Sequence, residues 1–454
     1  MTATLWTLDR IADALGGHCI TPPPRGANAI ERITTDTRSI APGDCFVALA
    51  GERFDAHDFL DQAVAAGAAA LVVQRAPRLG ALNVPVYVVD DTLVALGELA
   101  RYRRLAWGKP VIAIAGSNGK TSTKELLSAA LGACYTVHAT RGNLNNRVGV
   151  PLTLLAIPDR ADVAVVELGT SLPGEIALLR EIARPDVAVV TSIAEEHLEG
   201  LRDLAGVLAE ESAVFDGVAV AIIPSAHPEL LEAASQCRTV VIAGLENGDV
   251  HAESWSIDAD GSGTATVDGV AVHSPLRGLH NLRNLMLALA ASRELGVGTA
   301  DAARGIAQLT PPPMRASWAR MGRALVINDA YNSNPGSALA ALDMLGSAPG
   351  HQRVAVLGTM RELGADSDRC HDDVARAALA SSADLIAGIG DFADSLVRIA
   401  PTDPRVIVAP DIDELWPALA PRLVGEPTIL LKASRGVKLE RILPLISSWA
   451  AQAC

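Results

Sequence analysis

The chain has 454 residues, 49% apolar and only 3% aromatic, with a formal charge of −14. That length allows about two to four domains, and the composition is that of packed globular cores rather than of disorder. An acidic chain has no electrostatic reason to seek nucleic acid or an anionic membrane, although a local loop with a metal still binds an anionic nucleotide.

Strand-like apolar runs alternate with helix-like stretches over most of the length, which predicts α/β architecture with parallel sheets. A first section, 1–90, has short strands at 43–49 and 70–73 around a helical stretch at 59–67. A second section, 91–310, opens with a helix at 92–107 that Lys109-Pro110 breaks. A short β-branched run follows at 111–115, then a Gly-containing turn, then a helix at 120–131. Further strands are expected at 162–167, 186–191 and 218–223, and a helix at 281–295 closes the section. Pro311-Pro312-Pro313 marks a linker. Beyond it, strands at 324–328, 353–357, 385–389, 406–408 and 428–431 alternate with helices, so 311–454 reads as a doubly wound, Rossmann-like domain. Cys19, Cys45, Cys134, Cys237, Cys370 and Cys454 are scattered, with no C-x-x-C pair, and read as reduced thiols. No apolar stretch approaches ~18 residues and no basic-then-apolar leader opens the chain, so a soluble cytoplasmic protein with no membrane span is expected.

Gly116-Ser117-Asn118-Gly119-Lys120-Thr121-Ser122 sits between the run at 111–115 and the next helix, the context a phosphate loop requires. Its glycines free backbone N–H groups to turn towards an anion, and the helix start adds its positive dipole end. Lys120 is placed to reach the β- and γ-phosphates, and Thr121 to offer its hydroxyl to Mg²⁺. The longer loop pattern would put a glycine at position 114, which is Ile114, so this is the short G-x-x-G-K-T form. Two other strand ends carry polar groups: Glu167, and Thr191-Ser192 with Glu195, Glu196 and His197 just beyond. Ligands bind past the carboxyl ends of strands in open α/β sheets. Thr121, Glu167 and His197 are donors of a kind that holds a divalent cation near a triphosphate, although each alone also reads as an exposed acid or a helix cap.

Several stretches together resemble the Mur ligases of peptidoglycan synthesis, over essentially the whole chain. They are Thr35-Asp36-Thr37-Arg38-Ser39, Gly51-Glu52-Arg53-Phe54-Asp55-Ala56-His57-Asp58-Phe59, the short loop, Gly142-Asn143-Leu144-Asn145-Asn146 and Gly278-Leu279-His280-Asn281-Leu282-Arg283-Asn284. In the last third, Asn328-Asp329-Ala330-Tyr331-Asn332-Ser333-Asn334-Pro335, Gly358-Thr359-Met360-Arg361-Glu362-Leu363-Gly364 with His371, and Lys432-Ala433-Ser434-Arg435-Gly436 resemble the members that add D-alanyl-D-alanine. The Asp-Asn-Pro-Arg run of the diaminopimelate-adding relatives is missing.

The resemblance implies three domains: an N-terminal one for the uridine nucleotide, a central phosphate-loop ATPase domain and a Rossmann-like C-terminal one for the dipeptide. It implies ATP and Mg²⁺ as cofactors, UDP-N-acetylmuramoyl-tripeptide and D-Ala-D-Ala as substrates, an acyl-phosphate intermediate, and a monomer. Gly116 to Ser122 then hold phosphates, with Lys120 as the clamp. Thr121 and Glu167 hold one metal, and His197 and Glu211 support a second. Arg315 approaches the γ-phosphate, Asn281 faces the adenine, and Asp329 faces the ribose, with Tyr331 and Asn332 beside the nucleotide. Asn334, Ser434 and Arg435 face the dipeptide. Asp36, Thr37, Arg38, Ser39, His57, Asn143 and Asn146 contact the UDP-linked substrate. Glu211 stands where the family carries a lysine that forms a carbamate, and is expected to supply the charge directly; alone it reads equally as an exposed helix acid beside Glu210. Ser171-Leu172 replace an expected Asn-His, though Glu175 remains, and Ser192 replaces an expected Asn; both changes are expected to weaken hydrogen bonding around the metals. A ligase adding another amine, a weakened nucleotide-binding member and a plain phosphate-loop ATPase stay open as alternatives.

Overall fold

A computed structural model describes residues 5–16, 29–51, 54–75 and 83–451; Glu52, Arg53, Cys19 and Cys454 lie outside the described residues. The chain divides into two compact units. One comprises Met1–Val111, His138–Leu168 and Leu178–Pro185; the other comprises Ile112–Val137, Gly169–Ala177 and Asp186–Cys454. No described helix is long and apolar enough to cross a membrane.

In the first unit, strands Ile33–Thr34, Cys45–Val47, Ala70–Val73 and Val86–Val88 pair in chain order, all parallel. Side chains alternate across a strand, so each run feeds two cores. Cys45, Val47, Ala70 and Val72 pack with Trp6, Ile11, Leu96 and Leu99 on one face. Phe46, Ala48, Leu71 and Val73 pack with Leu60 and Ala63 on the other. Burial on both faces is why the strands read as unbroken apolar runs. Helix Thr92–Trp107 starts where the Asp91 carboxylate accepts the Leu93 and Val94 N–H groups, and it ends at Gly108 with φ +68°. The stop therefore precedes Lys109-Pro110. Its buried Arg103 donates to the Ile157 carbonyl and to Asp159 at 2.7 Å, and Arg104 donates to the Ala183 carbonyl at 3.0 Å. These bonds tie the discontinuous segments of the unit together.

In the second unit, strands Val250–His251, Thr239–Gly244, Val220–Pro224, Val187–Val190 and Val111–Ala115 lie side by side, all parallel. An antiparallel sheet of Ser254–Ile257, Gly263–Val267 and Val270–Ser274 stands apart; the sequence reading missed it. The last sheet has the order Ser317–Met321, Ala324–Asp329, Pro427–Lys432, Gln352–Gly358, Leu385–Ile389, Val406–Ala409. All its pairs are parallel except the first, an antiparallel edge that was not expected. The expected α/β class with parallel sheets is what the chain adopts. Asp329, Lys432 and Leu357 fall opposite one another, so the residues just after these strands gather at one sheet edge.

The fold also separates the thiols. Cys45 is fully buried and its pKa is pushed up to about 12 by that burial, whereas Cys134 is exposed. Thiolate is the reactive form. Iodoacetamide at pH 8, mapped by mass spectrometry, should modify Cys134 in the native protein and leave Cys45 untouched until the chain is unfolded. Equal labelling of the two would contradict this packing.

Candidate active site

The short loop runs from strand Val111–Ala115 into helix Lys120–Gly132 through two glycines in left-handed backbone, Gly116 at φ +114° and Gly119 at φ +88°. Close packing forbids a side chain at both. A Cβ at 116 would overlap the Thr191 hydroxyl, and one at 119 would sit 2.6 Å from Asn284 Oδ1. The segment after strand Val187–Val190 braces the loop. Thr191 Oγ1 donates to the Asn118 carbonyl at 2.6 Å, and the Ser117 N–H donates to the Ser192 carbonyl at 2.8 Å. The Asn118 N–H donates to Ser192 Oγ at 2.9 Å, and that hydroxyl donates back to the Asn118 carbonyl at 3.1 Å. Ser192 therefore works here as a loop brace. Thr121 and Ser122 are buried in the first helical turn.

Lys120 folds back over its own loop. Its Nζ contacts the Gly116 carbonyl, lies 3.2 Å from the Ser117 carbonyl and 3.6 Å from Glu196 Oε1. Glu196 is 5% exposed and Glu211 is fully buried. Burial raises the pKa of each carboxyl above its usual value; the Lys120 charge opposes this, and Glu211 is pushed up to about 7. Glu211 Oε2 accepts the Gly116 N–H at 2.6 Å, while Oε1 is buried with no hydrogen-bond partner. Glu211 is thus no exposed helix acid, and neither is Glu210. Glu210 accepts from Thr170 Oγ1 at 3.0 Å and from the Gly174 and Ile176 N–H groups at 2.7 and 2.8 Å, closing the start of the helix at Glu175. Glu175 in turn accepts the Ser171 and Leu172 N–H groups. His197 pairs through Nδ1 with Glu362 and lies 3.8 Å from Glu196. Burial disfavours its charged form, but Glu362 and Glu196 outweigh it and hold the imidazole pKa above its usual value.

The C-terminal residues meet the loop. Asn334 caps helix Pro335–Ser347, and its Nδ2 donates to Asn118 Oδ1 of the loop at 3.0 Å. Buried Lys432 binds Asp329 at 2.6 Å and the Asn332 carbonyl at 2.8 Å. The Arg315 guanidinium stacks 4.1 Å from the Tyr331 ring centroid. Asn281 is buried, donates to the Arg277 carbonyl at 2.7 Å and accepts from Asn284 at 3.2 Å. A cavity of about 170 Å³ joins Glu196 and His197 to Asn332, Asn334, Ser434 and Arg435. Five residues singled out from the sequence thus line one space.

In the first unit, Glu167 ends strand Val163–Glu167, is 2% exposed and accepts from Asn145 Nδ2 at 2.9 Å. Asn143 and Asn146 are exposed, and Asn146 Oδ1 accepts the Gly149 N–H, capping the next helix. Asp36 caps the short turn Thr37–Ser39 and grips Arg38 at 2.8 and 2.9 Å. His57 is held on both nitrogens, by Asp55 at 2.7 Å and the Gln74 N–H at 2.9 Å. Both its ring nitrogens are thereby engaged, whereas Arg38 and Ser39 are exposed.

Sequence reasoning gave no role to Glu196, Asn284 or Asn145. Signals for two existed: Glu196 directly precedes His197, and Asn284 follows Asn281 by three residues, on the same helix face. Among the described residues, no three His, Cys, Asp or Glu side chains gather as a metal site. The unpartnered Glu211 oxygen and the Thr121 hydroxyl fit a hard cation that takes its remaining ligands from phosphate and water, as Mg²⁺ does.

Glu210 and Glu211 are adjacent, yet they separate by test. Glu210→Ala strands the Gly174 and Ile176 N–H groups, while the Thr170 hydroxyl keeps the Leu172 carbonyl at 2.9 Å, and should lower unfolding stability by about 3 kcal/mol, read from urea denaturation. A loss below about 1 kcal/mol would show that those bonds do not hold the helix start.

Residues 29–104 match the Mur ligase family catalytic domain, 114–292 the Mur ligase middle domain, and 314–435 the Mur ligase glutamate ligase domain. The chain is 37% identical to the UDP-N-acetylmuramoyl-tripeptide–D-alanyl-D-alanine ligase of Escherichia coli, over 96% of this chain and 97% of that protein. It is 35% identical to the protein of the same name from Bacillus subtilis, over the same shares. A MurF structure from Acinetobacter baumannii superposes with a TM-score of 0.91 at 32% identity, covering 98% of this chain and 99% of that one. MurF from Thermotoga maritima in complex with ADP gives 0.82 at 28% identity, over 92% and 97%.

Proposed function

The chain belongs to the Mur ligase family, and from that premise we propose that it joins D-Ala-D-Ala to UDP-N-acetylmuramoyl-tripeptide, with ATP converted to ADP and phosphate. The observation that carries the reading is the bond from Asn334 to Asn118, which sets the cavity of the last section against the phosphate loop. We assign 1–90 to the UDP-linked substrate, 91–310 to ATP and 311–454 to the dipeptide. The protein acts in the cytoplasm, as a monomer.

A carboxylate is a poor acyl donor because its oxygen is a poor leaving group. The tripeptide carboxylate oxygen attacks the γ-phosphorus, the bond to the β-bridging oxygen breaks, and ADP departs. The dipeptide amine then attacks the acyl carbon, the amine proton is lost, and phosphate leaves. Both steps depend on positioning and on neutralising spreading negative charge. Lys120 exchanges its loop carbonyls for the β- and γ-phosphates. The loop N–H groups and the start of helix Lys120–Gly132 receive the phosphate oxygens. Arg315, parked on Tyr331, is the guanidinium for the γ-phosphate, and Asn281 and Asp329 serve the adenosine. Thr121, Glu167, His197 and Glu211 would hold Mg²⁺, which supplies further charge neutralisation when bound.

Phosphate release with ATP and UDP-MurNAc-tripeptide should require D-Ala-D-Ala. Release that ignores the dipeptide would sink the assignment. Glu211→Ala should raise the Mg²⁺ concentration needed for half-maximal ADP binding by calorimetry about tenfold, the loss of one charged ligand bond. An unchanged Mg²⁺ dependence would remove Glu211 from the metal set.

A further inference from the structure

The cavity beside the phosphate loop is small, about 170 Å³, below the ~300–1,000 Å³ of drug-sized ligand sites. It is also rich in charge. Most of that charge is already matched. Glu196 faces Lys120 at 3.6 Å, His197 pairs with Glu362, and Arg435 pairs with Glu440 at 2.8 Å. Arg361 is the exception. Among the described residues it forms no salt bridge, although it lines the cavity, and the neighbouring Glu362 carboxylate, which feels its charge, is already paired with His197.

The Arg361 loop is built to hold still. The Met360 N–H donates to Nε2 of fully buried His371 at 2.9 Å, and the Arg361 N–H donates to Ser434 Oγ at 2.9 Å. The His371 Nδ1 is fixed by the Ser367 carbonyl at 2.7 Å. Gly436 gives the guanidinium its seat, since a Cβ there would run into it. A guanidinium without a salt bridge, carried on a fixed loop beside a small polar cavity, matches a carboxylate, which it grips with two parallel N–H bonds.

We propose that Arg361 receives the free carboxylate of the incoming amine substrate and makes that carboxylate a condition of acceptance. The inference rests on the ligase reading above and adds to it the residue that selects the amine. Bound there, a zwitterionic dipeptide leaves its amino end for the Glu196 side of the cavity, next to Lys120, where the acyl group must arrive. Arg361 is a specificity residue in this arrangement and takes no part in moving protons or phosphate.

The test is phosphate release with ATP and UDP-MurNAc-tripeptide, with either D-Ala-D-Ala or its C-terminal amide as the amine. The unaltered chain should prefer the free acid. Arg361→Ala should raise KM for D-Ala-D-Ala roughly 10- to 100-fold, from the strength of charged hydrogen bonds, leave KM for ATP unchanged, and erase most of the acid-over-amide preference. Arg361→Lys keeps the charge without the paired donors and should fall between. The side chain is exposed, so the thermal midpoint of both variants should match the unaltered chain; should the alanine variant not fold, the lysine variant carries the comparison. An unaltered chain that takes acid and amide alike, or an Arg361 variant that keeps the full preference, overturns the inference while the ligase reading stands. An unaltered chain with no amine-dependent release overturns the ligase reading, and the inference with it.

Discussion

The half-buried charge on Lys120 constrains everything around the phosphate loop. An ammonium withdrawn from water must be matched or it neutralises. Here it is matched provisionally: by two loop carbonyls and by Glu196, with the Glu211 carboxyl close enough to feel it. The arrangement holds a cation beside a loop of turned N–H groups, and in the proposed reaction an incoming triphosphate would satisfy both at once. Glu211 has a double role in that picture, because one of its oxygens fixes the first N–H of the loop while the other is left bare.

The last sheet is tuned to the same end. Parallel pairing brings Asp329 opposite Lys432, and their buried ion pair fixes the Asn332 carbonyl as well. The chain then turns through Ser333 to Asn334, whose side chain caps a helix with its oxygen and reaches the phosphate loop with its nitrogen. One amide thus couples a helix start to the loop. A side chain there needs both an acceptor for the cap and a donor for the loop, which the Asn amide supplies together.

Much of this was legible in the sequence, for a physical reason. Strands buried on both faces, such as Val111–Ala115, Val163–Glu167 and Leu385–Ile389, have to be apolar throughout, and they were placed to within a residue. Some strands that escaped, such as Ile33–Thr34 and Val86–Val88, are largely buried but only two or three residues long, and others are partly exposed. Ser254–Ile257 and Ser317–Met321 carry polar residues on an open face, so nothing in their composition separates them from loops. The site divides in the same way. Lys120 and Thr121 are fixed by local spacing, whereas the partners of Glu210 and Glu211 come from elements distant in sequence. Two adjacent acids on a helix look alike in a string of letters; only packing shows that one closes a helix start and the other faces the loop. Arg361 was visible within a motif, but its lack of a salt bridge was not.

His197 and Glu362 form their ion pair from backbones that both adopt left-handed φ, +52° and +67°. Glycine would sit more comfortably at either place, since the conformation costs a β-carbon-bearing residue on the order of 1 kcal/mol or more. A search for stabilised variants should therefore keep arriving at these two positions, and each success would delete a side chain that lines the cavity. Robustness and activity pull in opposite directions here, so a hardier version of this protein has to draw its gains from elsewhere in the fold.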